Sequence, residues 1–347
     1  MAYTTIDNPS EYFLTKLYAG NGSTQDIGGI GFQPDWVWLK NRTDAGNDPV
    51  SIDSVRGVTK EITTNTELAE VTNADGLTAF GSDGFSVGDD DMYNTNAENF
   101  VSWNWLAGTS FSNDASSTGV GSIDSVGSVN TDAGFSIISY TGNGTAGATV
   151  AHGLGAIPQV YILKNRSSSA GWTSYFEPLG ATKFLQLNTT GAAGTTADAF
   201  NNTSPTSSVF SLGTDTSTNN TDNFIAYCFA EKKGYSKISS FVGNGSNNGS
   251  YIHLGFKAAF IMIKRTDSSG NWNIMDNKRI GYNPDNNEIR VHESSGEQTS
   301  DTLDILSNGF KMRSASGSFN ESGGSYIYMA FASNPFTTST GVPATAR

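Results

Sequence analysis

Few side chains in this sequence have the types and spacing that catalysis or metal binding requires. The three histidines, His152, His253 and His292, form no ligand cluster with the spacing of a zinc site. His152 and His253 each precede a hydrophobic run, in the contexts Ala-His-Gly-Leu-Gly and Ile-His-Leu-Gly, so we expect a structural role such as a turn hydrogen bond. No nucleophilic serine elbow and no glycine-rich phosphate loop occurs. We therefore predict a non-enzymatic protein with no catalytic residue, no metal site and no cofactor.

Acidic and thiol side chains offer weaker candidates. The run from Asp89 to Asp91 has oxygen ligands that calcium accepts, but it lacks the spaced acceptors of a known calcium loop, and we interpret it as a solvated acidic loop. Carboxylates are common enough that a glycosidase pair stays open, although nothing singles one out. Cys228, the only cysteine, lies inside an aromatic run and is expected to be a buried, unreactive thiol.

Aromatic residues supply the candidates for ligand binding. Trp172 and Trp272 each lie eight residues after a lysine and follow serine-containing stretches, whereas the corresponding position near the N-terminus is Asp48. An aromatic ring beside polar groups can stack on a sugar face, so Trp172, Trp272 and Tyr175 are candidate glycan-binding residues. The alternative is that each tryptophan covers one end of a core.

The elements that must position these residues occur three times along the chain. Each copy has a Gly-Asn-Gly turn, a hydrophobic run ending in Lys, a Phe among Gly and Ser, and an aromatic run. The copies comprise the turns at 20–22, 142–144 and 243–245, the lysines Lys40, Lys164 and Lys264, the phenylalanines Phe85, Phe210 and Phe310, and the runs beginning at Phe100, Phe224 and Tyr326. The spacings drift by only one or two residues, and a period of about 100 residues is that of a small domain.

Composition favours strands over helices. The chain has 39 Gly among its 347 residues, only 15% charged residues and 20 Phe, 13 Tyr and 6 Trp. Short strands joined by polar turns give this profile. We predict an all-β chain of three tandem antiparallel β-sandwich modules of jelly-roll or lectin-like type. The predicted boundaries are 1–110 for the first module, 111–133 for an extended linker or docking arm, 134–235 for the second, 236–336 for a degenerate third and 337–347 for a tail.

Patterns within the runs predict how the strands are covered. Trp36 and Trp38 alternate with Val37 and Leu39, so both faces are apolar, and this strand is either covered on both sides or covers a partner. The aromatic run 100–105 has Ser102, Asn104 and Phe100 on one face, which predicts a half-buried strand. The very short second junction predicts that the second and third modules pack closely, while the first sits at an angle.

The net charge of −13 argues against a nucleic-acid partner, because such proteins concentrate Lys and Arg. No stretch of eighteen apolar residues occurs, which argues against membrane insertion, and the start of the sequence has no basic, apolar signal pattern.

The repeated residues resemble a module of tailed-phage virion proteins, especially those of marine cyanophages. The similarity rests on Gly134-Phe-Ser-Ile-Ile-Ser-Tyr-Thr-Gly-Asn-Gly-Thr145, His152-Gly-Leu-Gly155, Pro158-Gln-Val-Tyr-Ile-Leu-Lys-Asn-Arg166 and, in the first copy, Gln33-Pro-Asp-Trp-Val-Trp-Leu-Lys-Asn-Arg42 with Asp53-Ser-Val-Arg-Gly57 and Asp83-Gly-Phe-Ser-Val87. It covers residues from about 11 to 230. In the third copy Lys-Asn-Arg becomes Lys264-Arg-Thr266, and the proline becomes Ala258.

The resemblance implies a lectin-like sandwich with a structural or adhesive role in the virion, assembled in the host cytoplasm. Two roles stay open. One is a surface component of the particle, either a capsid decoration or protrusion or a short tail accessory. The other is a tail-fibre adhesin that binds host polysaccharide, although no heptads or β-helical repeats of a fibre stalk occur. A third class is a polysaccharide-degrading enzyme, but no residue in the sequence specifically indicates it. The implied partners are other virion proteins, further copies of the chain in a homo-oligomer, and host surface glycan.

Overall fold

The computed structural model describes residues 2–279 and 283–344, and the chain is all-β. Antiparallel strands account for the regular structure apart from short turns of helix. These are the α-helical turns α1 (Asp91–Asn94), α2 (Ala115–Thr118) and α3 (Ala197–Phe200) and the 3-10 turns Pro9–Glu11 and Glu177–Leu179. The segment from Lys60 to Val71 forms strands at both its ends.

The first module comprises strands β1 to β9. Its main sheet has the order β1-β9-β3-β4-β5-β6, and a smaller sheet of order β2-β8-β7 accompanies it. The bounds are β1 Phe13–Ala19, β2 Gln25–Ile27, β3 Trp36–Asn41, β4 Val50–Asp53, β5 Lys60–Thr63, β6 Val71–Thr72, β7 Leu77–Gly81, β8 Gly84–Val87 and β9 Asn99–Trp105.

The second module comprises β10 to β19. Its main sheet has the order β10-β11-β12-β19-β14-β15-β16-β17, and β13 pairs with β18. The bounds are β10 Thr109–Asn113, β11 Ser125–Asn130, β12 Phe135–Thr141, β13 Thr149–Ala151, β14 Val160–Asn165, β15 Thr173–Phe176, β16 Lys183–Gln186, β17 Gly194–Thr195, β18 Val209–Ser211 and β19 Asn223–Phe229. The segment predicted to be a linker or docking arm, 111–133, therefore extends this sheet by two strands.

The third module comprises β20 to β27, in a sheet of order β20-β27-β22-β23-β24-β25-β26-β21. The bounds are β20 Ser236–Val242, β21 Tyr251–His253, β22 Phe256–Arg265, β23 Trp272–Asp276, β24 Asp285–Arg290, β25 Gln298–Leu306, β26 Gly309–Met312 and β27 Ser325–Pro335. In the C-terminal tail Thr337 bridges to Pro343, and Ser339 donates hydrogen bonds from N and Oγ to Asp7.

All three modules share one arrangement of strands. The aromatic strand (β9, β19 or β27) lies between the strand that precedes the Gly-Asn-Gly turn (β1, β12 or β20) and the strand that contains the repeated Lys (β3, β14 or β22). The second layer repeats as well, because Phe85, Phe210 and Phe310 pair with Ile27, Val150 and Ile252 respectively. The repeat read from the sequence thus corresponds to a repeated sheet order.

Each module has its own core, and the three also share one. Val37 and Leu39 pack within the first module, whereas Trp36 and Trp38 face a central cluster formed by residues of all three modules. Both alternatives predicted for β3 therefore hold, because its two faces cover different cores.

Three aromatic rings from equivalent strand positions meet in the central core. Trp105 and Phe229 are the last residues of β9 and β19, and each is the seventh residue of its strand, as Phe331 is of β27. Their ring centroids are 6.3 Å apart for Trp105 and Phe229, 5.6 Å for Trp105 and Phe331, and 5.8 Å for Phe229 and Phe331. This near-equilateral triangle marks an approximate threefold axis. The prediction that the first module sits at an angle is wrong, because the shared core includes it fully.

The aromatic strand of the first module corrects a second prediction. The sequence predicts a half-buried strand, but Ser102 and Asn104 are as buried as Trp103 between them. The amide nitrogen of Asn104 donates hydrogen bonds to the Leu14 carbonyl and to Ser102, so its donors are paired within the protein, whereas its buried Oδ1 has no hydrogen-bond partner among the described residues. Polar residues on a strand do not identify a solvent face when a second layer covers them.

Candidate functional site

The aromatic residues predicted to bind glycan are buried. The side chains of Trp172 and Trp272 are 0% exposed, and Tyr175 is 2% exposed. Tyr175 stacks on Tyr161 at 4.7 Å and meets Phe200 edge-on at 5.8 Å, inside the second module. None of the three presents a ring face to solvent. The prediction that they stack on a sugar is therefore wrong for this structure.

The two tryptophans instead hold one module to the next. The indole N–H of Trp172 donates to the Thr63 carbonyl of the first module at 2.9 Å. The indole N–H of Trp272 donates to the Gln186 carbonyl of the second module at 3.0 Å. A sequence reading could not find these partners, because they lie 109 and 86 residues away in the chain.

The first module reaches the third by a related route. Here strand register places Pro49, and not Asp48, where the other modules have Trp172 and Trp272, and the indole of Trp38 makes the related contact. Its N–H donates to Thr64 Oγ1 at 3.2 Å, and Thr64 in turn donates to the Val291 carbonyl at 2.9 Å. These contacts close a ring of three modules, in which Trp172 and Trp272 bond the neighbouring module directly and Trp38 does so through Thr64.

The lysines that end the hydrophobic runs make the same ring of contacts. Lys40 Nζ donates to the Ser294 carbonyl of the third module at 2.7 Å. Lys164 Nζ donates to the Glu67 carbonyl of the first module at 3.2 Å. Lys264 Nζ completes the ring by donating to the Thr190 and Gly191 carbonyls of the second module, at 3.2 and 2.9 Å.

Burial lowers the pKa of all three lysines to about 8, although nearby carboxylates partly oppose that shift. An amine with such a pKa is a candidate nucleophile or base in an accessible pocket. Lys40, Lys164 and Lys264 are 0% exposed, and their ammonium groups are occupied by backbone carbonyls. Their arrangement supports packing between modules and not chemistry on a substrate.

Two of the three module interfaces also contain a buried ion cluster. Where the first module meets the second, Arg56 pairs with Asp53 at 2.5 Å and Glu70 at 3.3 Å, and the Tyr227 hydroxyl of the second module donates to Asp53 at 2.7 Å. From the rim, Arg166 of the second module also pairs with Glu70, at 2.8 Å.

The interface of the third module with the first repeats this cluster. Arg279 pairs with Asp276 at 2.7 Å and with Glu297 at 3.0 Å. The Trp103 indole of the first module donates to Asp276 at 3.1 Å, and Arg42 pairs with Glu297 at 2.9 Å. Burial disfavours the charge on Arg56 and Arg279, but the adjacent carboxylates outweigh it and raise the pKa of both guanidinium groups. In the sequence, these clusters are marked by the Asp-X-X-Arg spacing, which occurs at 53–56 and again at 276–279.

The interface of the second module with the third has apolar residues at the same positions. Phe176 pairs with Val160 as Asp53 pairs with Trp36 and Asp276 with Phe260. Leu179 lies three residues after Phe176, where Arg56 follows Asp53. Ala193 is equivalent to Glu70, because the backbone N–H of Ala193 donates to the Thr266 carbonyl as that of Glu70 donates to the Arg166 carbonyl. Leu179 and Ala193 both pack against the central core.

A buried asparagine fixes each Gly-Asn-Gly turn, and the sequence reading missed it. Asn94, Asn219 and Asn320 are 0% exposed. Each accepts a hydrogen bond from the backbone N–H of the turn asparagine, at 2.9, 2.9 and 3.0 Å for Asn21, Asn143 and Asn244. In the sequence, these asparagines can be recognised because one lies five or six residues before each aromatic run.

The three Gly-Asn-Gly turns share one backbone geometry. Positive φ falls on the second glycine, at 66°, 67° and 67° for Gly22, Gly144 and Gly245, and not on the asparagine. The asparagine side chain instead accepts from the backbone two residues on, as in an Asx turn. The turns are clamped scaffold in all three modules.

The remaining candidates take structural roles. His152 is buried, accepts from the Leu154 N–H at 3.2 Å and contacts the Thr206 carbonyl through Nε2 at 3.1 Å, which confirms the predicted turn hydrogen bond. His253 is not its equivalent, because strand register aligns it with Ala151, and its side chain is exposed. Burial lowers the pKa of His292 to about 4, and its Nδ1 accepts from the Trp272 N–H.

Asp90 caps α1 by accepting from the Met92 N–H, so the acidic loop has a local function. Cys228 is fully buried, and burial raises its thiol pKa to about 12, in agreement with an unreactive group. Across residues 2–279 and 283–344, no three His, Cys, Asp or Glu side chains are grouped to hold a metal ion. Within the same ranges, no helix has the length and apolar character needed to cross a membrane.

Comparison with known proteins gives one family. Searches of curated proteins and of solved structures return no match. A family model described as a domain of unknown function, DUF7483, matches residues 8–335 and therefore spans all three modules as one unit. The chain belongs to this DUF7483 family.

Proposed function

We propose that this protein is a non-enzymatic structural component on the surface of a tailed-phage particle. It serves as a capsid decoration or protrusion, or as a short accessory of the tail. The observation that carries the proposal is the closure of three related modules around one aromatic core. One chain thereby offers three similar modules about a common axis, marked by the Trp105, Phe229 and Phe331 rings.

Such a body suits a threefold position on an assembled particle. Symmetric assemblies repeat the same surface patch around each axis, so a threefold site offers three identical patches. A chain with three related modules can make a similar contact with each patch, and linked contacts bind more tightly than one alone. The expectation of a homo-oligomer stays a prediction, and a single chain at a threefold site is the simpler arrangement.

The interior suits a component that must stay folded on an exposed surface. Buried indole, lysine and arginine contacts connect every module to both others. Local opening of one module would break contacts with its neighbours, which raises the free energy of opening. The net charge of −13 in turn disfavours self-association of particles.

The test is to locate the protein on purified particles. Particles from a phage with a tagged copy of the gene are labelled and imaged, and copy number is measured by quantitative mass spectrometry. Many copies over the head or one ring on the tail support the proposal, and density centred on a threefold axis supports the symmetry argument. Absence of the protein from purified particles overturns it.

A receptor-binding adhesin for host polysaccharide is the second candidate. It is favoured by a surface cleft that combines exposed aromatic rings with lysines, described below. A few copies confined to the tail tip would favour this role and exclude capsid decoration.

A further inference from the structure

A cleft of about 470 Å³ opens where the N-terminal segment crosses the junction of the second and third modules. Tyr3, Lys233, Lys237, His253 and Gly255 line it, together with Glu231. We call it the junction cleft. It lies outside the shared core and uses none of the aromatic residues that the sequence predicted to bind sugar.

The N-terminal segment is fixed at this cleft. The Tyr3 hydroxyl donates to the Gly255 carbonyl at 2.6 Å. Gly255 has φ of +82°, and a Cβ there would lie 2.6 Å from the same hydroxyl, so any other residue would displace Tyr3. Glycine is therefore required at position 255 for two reasons, the positive φ and the close contact with the Tyr3 hydroxyl.

The charge of the cleft is opposite to that of the chain. Lys233 Nζ lies 4.8 Å from the centre of the Tyr3 ring, and Lys237 lies on the same lining. Glu231 pairs with Lys237 at 3.5 Å and offsets one of the two positive charges. A net positive lining in a chain of net charge −13 points to an anionic ligand.

Two residues with exposed aromatic rings contact lining residues of the cleft, Tyr251 at His253 and Phe336 at Gly255. Tyr251 and Phe336 are 46% and 39% exposed, and they are the aromatic members of the exposed large hydrophobic side chains in the described part of the chain. The Tyr251 hydroxyl lies 3.2 Å from His253 Nδ1. Phe336 donates from its N–H to the Gly255 carbonyl, and its ring lies 6.5 Å from that of Tyr3.

The other modules have no counterpart of these side chains. The strand register aligns Tyr251 with Thr149 and His253 with Ala151 in the second module. The cleft therefore belongs to the module whose sequence departs most from the repeat. A feature present in one copy, with the scaffold kept in all three, is where a specific function is expected.

We propose that the junction cleft binds a hexuronic acid unit of an anionic polysaccharide. The apolar face of the pyranose ring stacks on the exposed ring of Tyr251, and the carboxylate accepts hydrogen bonds from Lys233 and Lys237. The combination of ring faces with cations selects a sugar acid over a neutral sugar or a small inorganic anion. This inference goes beyond the particle-surface role, because the binding belongs to the isolated chain wherever it sits.

The experiment is calorimetric titration of the purified full chain with an oligoglucuronate. A neutral glucose oligomer of equal length and inorganic phosphate serve as comparison ligands. We expect binding of the oligoglucuronate that weakens with added salt, at least tenfold weaker binding of the neutral oligomer, and no competition by phosphate at equal concentration. Equal affinity for the neutral oligomer, competition by phosphate, or no binding of oligoglucuronate would overturn the proposal.

Three variants assign the site. Tyr251→Ala and Lys237→Ala are each expected to weaken oligoglucuronate binding about tenfold. Lys183→Ala removes an exposed lysine of the second module and is the matched control, with no expected change. The urea midpoint of each variant confirms that it folds. Wild-type affinity in folded Tyr251→Ala and Lys237→Ala would show that the sugar binds elsewhere and would exclude the junction cleft.

Discussion

The interfaces that join the first module to its neighbours contain buried ion clusters, whereas the interface between the second and third modules has apolar residues at the equivalent positions. Asp53, Arg56 and Glu70 in the one correspond to Phe176, Leu179 and Ala193 in the other. The residues opposite change as well. The polar partners Tyr227 and Trp103 correspond by register to Met329, and the rim residues Arg166 and Arg42 correspond to Thr266.

The same geometry is thus reached with two chemistries. A buried ion pair stabilises little compared with a well-packed apolar contact, because desolvation offsets most of the attraction. Removing one member is nevertheless costly, since it leaves the other charged and buried. An ionic interface can therefore be replaced by an apolar one only if its residues change together, and here the two kinds of interface differ at all five equivalent positions.

Asp53→Ala gives the largest expected effect. It leaves the Arg56 guanidinium, which is 0% exposed, without its closest carboxylate. We expect a loss of about 3–5 kcal/mol in the free energy of unfolding, measured by urea denaturation. Asp276→Ala should behave alike, because Arg279 has the same environment.

The exposed Asp89 provides the control, since Asp89→Ala should change the unfolding free energy by less than about 0.5 kcal/mol. A small effect of Asp53→Ala, no larger than that of the control, would mean that the cluster is not a buried unit.

The lysine ring, which all three interfaces share, should make stability depend on pH. Burial lowers the folded-state pKa of Lys40, Lys164 and Lys264 to about 8, below the unfolded value of about 10.4. Between these values the unfolded chain binds more protons, so stability should rise as the pH increases above 8. Urea midpoints measured between pH 7 and about 9.5 test this, below the range where unfolded tyrosines ionise.

Lys40→Met should reduce the rise by about a third, because each lysine contributes separately. A stability that stays flat or falls over this range would contradict the buried placement of the lysine ring.

Converting an ionic interface into the apolar kind tests the comparison directly. The variant combines Asp53→Phe, Arg56→Leu, Glu70→Ala, Tyr227→Met and Arg166→Thr, which reproduce the second–third interface. We expect an unfolding free energy within about 2 kcal/mol of the wild type, and a higher urea midpoint than that of Asp53→Ala. A midpoint below that of the single variant would show that the two kinds of interface differ in backbone geometry and not only in side chains.

The rim ion pairs should contribute least. Arg166 and Glu70 are partly exposed, and Glu70 keeps Arg56 as a partner when Arg166 is removed. Arg166→Ala is expected to lower the unfolding free energy by about 0.5–1 kcal/mol, with a smaller loss in high salt. Arg42→Ala at the other ionic interface should match it. A loss of several kcal/mol at either site would place these rim arginines with the buried clusters.

Local patterns in the sequence predicted the strands and the repeat, because alternation and turn residues determine them over a few positions. The shared core was not predictable in the same way. The two apolar faces of β3 left open whether Trp36 meets its own module or a partner. Burial of Trp172 depends on the Thr63 carbonyl of another module, which no local pattern indicates.

The candidate site shows the same limit. Trp172 and Trp272 attracted attention because they recur, yet recurrence is a property of the scaffold. Tyr251 and Phe336 lie outside the repeated pattern. Lys233 and Gly255 both contact Tyr3 of the N-terminal segment, and no local pattern indicates these contacts. The alignment of His152 with His253 also failed, since a one-residue shift moves a strand side chain to the opposite face.

Differential scanning calorimetry of the full chain tests the central claim, that three modules form one body around a common core. We predict a single transition whose calorimetric and van't Hoff enthalpies agree, and which moves as a whole when Asp53→Ala weakens one interface. Separate transitions, of which Asp53→Ala shifts only one, would show three independently folded modules and contradict the shared core.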